Sequence, residues 1–272
     1  SLGPAFGAMQ SYYAQNPLGT VTVTNTERQP VTDLEISFLQ PGYMDVETPS
    51  FTRASLKPGE SVAVPLKAVF NQQVFTTEGK TPLTGQIIAK YKLGGRDVEQ
   101  REPASYELYD KTAITWSENA KVGAFITPQD GSLKTWTAAV SEAARDTMLS
   151  ALNQPLQIAM QIYQALAATG IQYQEDPSSP FTRVQGRVEA VDSINLARTT
   201  LRQRYGDCDD LTVLFTSLLE TRSVRTGFIT TPGHIYAAFD TGVAAENYQE
   251  IHPDRAMTLA VDGTLWVPVE VT

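Results

Sequence analysis

The spacing of apolar residues changes once along this chain, and that change limits the folds open to it. Between residues 20 and 112 apolar and polar side chains alternate, as in TVTVT (20–24), DLEISF (33–38), SVAVPLKAVF (61–70) and GQIIAKYKL (85–93). A period of two marks a strand that buries one face. Gln40-Pro41-Gly42, Lys57-Pro58-Gly59 and Gly94-Gly95 separate these runs and supply turn chemistry. After residue 130 the interval becomes three or four. Leu133, Trp136, Val140, Ala144, Met148 and Ala151 would share one helical face, which Asn153-Gln154-Pro155 interrupts. A second helix would carry Leu156, Ala159, Tyr163 and Leu166 inward and stop at Gly170, a residue that accepts left-handed backbone angles.

QEDPSSP (174–180) reads as a loop, and a weaker helix through Ile194, Ala197 and Leu201 leads to the only cysteine. LTVLFTSLLE (211–220) is a strong apolar helix, followed by strands at TGFIT (226–230) and HIYAAFD (234–240). MTLAV, Asp262-Gly263 and TLWVPVEVT make a hairpin. Roughly seven short strands in under a hundred residues is the pattern of an all-β, immunoglobulin-like sandwich, and a small barrel would read the same. Helices followed by an antiparallel sheet make an α+β domain. The expected organisation is an N-terminal segment (1–19), a β-sandwich (20–112) and an α+β domain (113–272).

At 272 residues two domains are the better expectation. The formal charge of −9 opposes binding to nucleic acid or to anionic lipid, both of which depend on clustered Lys and Arg. No window approaches eighteen apolar residues, so no membrane insertion is expected, and the start SLGPAFGAMQ reads as a piece excised from a longer protein. One cysteine cannot form an internal disulfide or a Cys-rich zinc site.

That cysteine stands in YGDCDDL (205–211). Gly206 would break the preceding helix and Asp207 cap the next, placing Cys208 in a first helical turn, where free amides and the helix dipole favour a thiolate. Asp207, Asp209 and Asp210 act against that charge, so the thiol needs a cationic partner. His234, in TTPGHIYAAFD, is held by a strand start, whereas His252, in QEIHPDR, falls in a polar loop. An imidazole base needs a group to orient it, and Glu270 is an acid on a strand otherwise built for burial. The stripe Leu211, Leu214, Phe215 and Leu218 reads as core, and Asp210 as a helix brace.

G-D-C-D-D opening a helix, P-G-H opening a strand and W-V-P-V-E on a later strand resemble the transglutaminase-like superfamily, over roughly residues 130–272. The start resembles most the bacterial transglutaminase-like cysteine proteinases. The resemblance implies a papain-like fold with Cys208 as nucleophile, His234 as general base and acid, and Glu270 as orienting carboxylate. It also implies a protein or peptide substrate, no required cofactor, and export to the periplasm or cell exterior. Two departures accompany it. Glu270 stands where Asp is usual, and GVAAENYQEIHPDRAM lengthens the segment between base and acid. In some of those proteinases the acids beside the cysteine hold calcium, which would fall on Asp207 and Asp209, two carboxylates too few to specify the ion. The function so implied is cysteine-dependent acyl transfer, chiefly amide hydrolysis. The alternative is a non-catalytic binding module that keeps the fold and joins other proteins.

Overall fold

The structure, a computed structural model, describes residues 2–175 and 190–272. Its secondary structure is mixed α/β, and the chain divides into two compact units, Ser1–Ala113 and Ile114–Thr272. In the first unit, strands β1 (Ala5–Phe6), β7 (Arg96–Tyr109), β6 (Lys80–Leu93), β3 (Val31–Leu39) and β4 (Thr48–Leu56) form one sheet in that order, while β2 (Gly19–Thr24) pairs with β5 (Ser61–Leu66). Alternation sends Ile36, Phe38, Val64, Leu66, Ile88 and Leu108 into the interior, where all are buried. The β6–β7 hairpin turns at Gly94-Gly95, both at positive φ (58° and 81°), as the two central residues of a tight hairpin turn require.

The segment 1–19, set apart in the sequence reading, joins this unit. Ala5 and Phe6 pair in parallel with Leu108 and Tyr109, and Phe6 stacks on Tyr109 at 5.2 Å. The strand read over 61–70 ends at Leu66.

The second unit holds helices α1 (Gly131–Ala143), α2 (Gln154–Ala168), α3 (Ala197–Gln203) and α4 (Cys208–Glu220). An antiparallel sheet runs β12 (Thr226–Thr231), β13 (His234–Ala244), β15 (Thr264–Val269), β14 (Leu259–Val261). Two small pairs complete it: β8 (Ala113–Thr115) with β10 (Val191–Ser193), and β9 (Gln172–Tyr173) in parallel with β11 (Tyr205–Gly206). α4 is buried from Cys208 through Leu219, packed between β13 and the other helices.

Three helical expectations change. α1 ends at Ala143, so Ala144, Met148 and Ala151 lie beyond it. Gln157 accounts for this: its amide accepts from Leu149 N and donates to Leu149 O and Leu152 O, holding that backbone in a non-helical path. α2 buries Gln157, Ile158, Ala159 and Ile162 and leaves Tyr163 45% exposed, because the buried Gln157 turns the inward face away from the one its apolar spacing marks. α3 ends at Gln203, where Arg204 adopts the left-handed conformation, so Gly206 is not the breaker. In QEDPSSP, residues 176–180 lie outside the described residues. No described helix is long and apolar enough to cross a membrane.

Candidate functional site

Asp207 caps α4: its backbone is extended and its side chain accepts the Asp210 N–H. Cys208 is therefore the first helical residue, and its side chain is 3% exposed. Burial, reinforced by the charge of Asp207, pushes the thiol up to about 12. The nearby amides of Ile235, Asp209 and Cys208 itself pull the other way without prevailing.

Ile235 locks the helix start to the sheet. While its N–H faces the Cys208 sulfur, its carbonyl accepts the Thr212 hydroxyl at 3.3 Å, one helical turn further along α4. The Ile235 nitrogen is bonded to the carbonyl carbon of His234, so the sulfur lies one peptide unit from the histidine backbone.

His234 opens β13 opposite Thr231, with its ring stacked on Tyr236 at 5.9 Å. Its Nε2 is 2.5 Å from Glu270 Oε2. Ala237 pairs with Val269 and Ala238 with Pro268, so continuing that register sets Glu270 across from Tyr236 on the His234 face. The other oxygen, Oε1, accepts from Val271 N, Thr272 N and Thr272 Oγ1 at 2.7–3.0 Å. Burial acts to raise the Glu270 carboxyl, but the hydrogen bonds from His234 and Thr272 outweigh it and hold the group below the usual carboxylate range. With Nε2–H donating to Glu270, Nδ1 is left as the basic nitrogen.

The structure thus joins His234 to Glu270, and Cys208 to the backbone next to His234. No direct hydrogen bond between Cys208 and His234 occurs among the described residues. His252 lies elsewhere, in a turn where its Nδ1 accepts Asp254 N at 3.0 Å.

Two participants carry no sequence signal. One is the Ile235 amide, since a backbone N–H looks the same at every position. The other is Tyr173, brought beside Gly206 by the β9–β11 pair, where burial and the nearby Cys208 and Asp207 raise its phenol. A two-residue strand is too short to show periodicity.

Asp207, Asp209 and Asp210 place carboxylate oxygens within 4.8 Å of one another, which bears on the calcium expectation. Asp210 gives both oxygens to Asn195, accepting its N–H and its amide at 2.7 Å each. Asp207 already accepts the Asp210 amide, and none of the three is more than 6% exposed. Calcium takes six to eight oxygens, so among the described residues this set does not fit the ion.

No protein-family model matches the sequence, and no curated protein matches it.

Proposed function

We propose that the second unit is a thiol acyl-transfer enzyme of the transglutaminase-like, papain-related kind, acting by amide hydrolysis on protein or peptide substrates, and that an immunoglobulin-like sandwich precedes it. The observation that carries this reading is the 2.5 Å His234–Glu270 bond, set one peptide unit from the amide that meets the Cys208 sulfur. A cysteine at a helix start, an imidazole on the adjoining strand and a carboxylate on the next are the three parts nucleophilic catalysis needs.

In this mechanism Cys208 Sγ attacks the amide carbonyl and its proton passes to His234 Nδ1. Glu270 steadies the imidazolium, which then protonates the departing amine, leaving a thioester on Cys208. Water, deprotonated by the same Nδ1, releases the acid and restores the thiol. In this mechanism backbone N–H groups at the start of α4 supply part of the oxyanion hole. Export to the periplasm or cell exterior belongs to the same proposal.

A second reading, a binding module without catalysis, draws on one observation: the Cys208 side chain is 3% exposed and its thiol is pushed up to about 12. An activated acyl ester, p-nitrophenyl acetate, separates the two. The enzyme reading expects an acetyl adduct on Cys208 by mass spectrometry, no adduct in Cys208→Ser, and acylation about 100-fold slower or worse in His234→Ala, the usual contribution of a general base. Absence of the adduct, or equal rates with and without His234, would establish the binding module instead.

A further inference from the structure

We propose that Asp207 and Asp209 share a single proton, and that the one negative charge they retain keeps Cys208 a neutral thiol until substrate is in place. Proton transfer to His234 then accompanies the attack instead of preceding it. The shared proton is a property of the fold; only its consequence for catalysis rests on the acyl-transfer reading.

The argument begins with distance and burial. The two carboxyl groups approach within 4.8 Å, at 4% and 0% exposure. Among the described residues no Lys, Arg or His forms an ion pair with either. Two carboxylates this close, buried and with no cation paired to them among the described residues, resist ionising together, so one proton stays.

The surroundings decide where it sits. Asp207 is the cap of α4, where the helix dipole favours a negative charge, although its oxygen takes only the longer, 3.4 Å share of the Asp210 N–H. Asp209 receives one donor, the Asp210 N–H at 2.7 Å on Oδ1, while its Oδ2 is fully buried and meets no hydrogen-bond partner. An ionised carboxylate with an orphaned oxygen is the costly arrangement, and a neutral acid that donates to Asp207 avoids it. Among the described residues, the titratable groups facing the pair are Cys208 and Asp210 on α4, Asp192 on β10 and Tyr173 on β9, and none of these is a cation. Burial first, then the adjacent Asp207 carboxyl and the surrounding acids, hold Asp209 well above the usual carboxylate range.

The consequence falls on Cys208. The charge of Asp207 stands next to the sulfur, and a resting thiolate–imidazolium pair would have to form against it. A nucleophile held as S–H is instead deprotonated by His234 Nδ1 as its bond to the carbonyl carbon forms.

The test is the pH midpoint of Cys208 alkylation by iodoacetamide in the full chain, with the Asn variants of each acid. Asp207→Asn keeps a good helix cap and removes the charge, so the midpoint falls by about one unit or more and alkylation at pH 8 accelerates about tenfold or more. Asp209→Asn replaces one neutral group by another and changes the rate less than about twofold. A protonated-carboxyl infrared band present at pH 7 and lost in Asp209→Asn supports the assignment. An equal acceleration in both variants would mean that both acids are ionised, and an unmoved midpoint in Asp207→Asn would mean that its charge does not govern the thiol. Either overturns the proposal. So does a rise in melting temperature with millimolar calcium that Asp209→Asn abolishes, since the cluster would then be a cation site. Thermal melts confirm that each variant folds, and none of these readouts depends on acyl transfer.

Discussion

Gly206→Ala tests whether the glycine before the capped cysteine is required by space. A Cβ at 206 would lie 2.6 Å from Asp210 Cβ, 3.1 Å from Asp210 Oδ2 and 3.1 Å from Thr200 Cγ2. Carbon atoms in contact prefer about 3.5–4.0 Å, so the nearest pair overlaps by about 1 Å. Neither neighbour yields easily: Asp210 is fixed by its two bonds to Asn195, and Thr200 is fully buried. Overpacking a rigid site costs about 3 kcal/mol, at the upper end of the usual range. The loss of unfolded-state freedom on replacing glycine offsets up to about 1 kcal/mol. The net of about 2 kcal/mol lowers the melting temperature of the second unit by about 4–8 °C, measured by circular dichroism and checked by urea unfolding. Gly227→Ala is the matched control. Its Cβ would meet only the Trp266 ring, at 3.2 Å, and a side-chain edge can move, so the expected change is under about 1 kcal/mol. A Gly206→Ala melt within about 2 °C of wild type, or no lower than that of Gly227→Ala, would refute the steric argument.

Asp240 is buried and bonded to Arg225. Burial raises its carboxyl, but the Gly242 N–H and the guanidinium outweigh that and hold it below the usual range. Its contribution to stability is therefore complete above the unfolded value of about 3.9 and is lost as pH falls through the lower folded value. Asp240→Asn should flatten the acid limb of a stability–pH curve, and an unchanged limb would exclude this pair as its source. Trp116→Phe removes the 2.7 Å bond from Nε1 to the buried Asp192, with an expected loss of about 1–3 kcal/mol in urea titration. Asn153→Ala removes both the cap on Leu156 N and the bond to Thr241 O, and should cost about 1–2 kcal/mol, read from the same titration.

The parts of the fold that were legible are those in which side-chain type follows burial. GTVTVT alternates between half-buried and exposed along β2, and the glycine turns fall where their positive φ is needed. β7 escaped because its first half, RDVEQREP, faces away from the core on nearly every residue and is held only by pairing with β6. β1 escaped because two residues show no period. The face of α2 was misread because a buried glutamine, satisfied by the backbone of Leu149 and Leu152, counts as polar in any apolar pattern. At the candidate site Asp207 announced the start of α4, and the strand that opens at His234 and the one that ends just before Glu270 were visible. The Cys208 environment was not, since it depends on the Ile235 amide and on which acid holds a proton.

The hydroxyls of α4 explain how a helix buried on all sides can present Cys208 in one direction. An apolar helix in an apolar shell could rotate or slide at little penalty, because dispersion contacts have no preferred direction. Thr212 donates to Ile235 O, and Thr127 N donates to Ser217 Oγ at 3.2 Å. Beyond the last turn, Thr221 donates to Thr137 Oγ1 on α1 at 2.9 Å. These bonds reach different partners from successive turns of one helix, and only one rotation about the helix axis satisfies them together. Thr212 lies one turn from Cys208, and both meet Ile235, one through its carbonyl and the other through its amide. The polar residues that interrupt the apolar stripe therefore fix the azimuth of the helix, and with it the approach of the sulfur to the strand that carries His234.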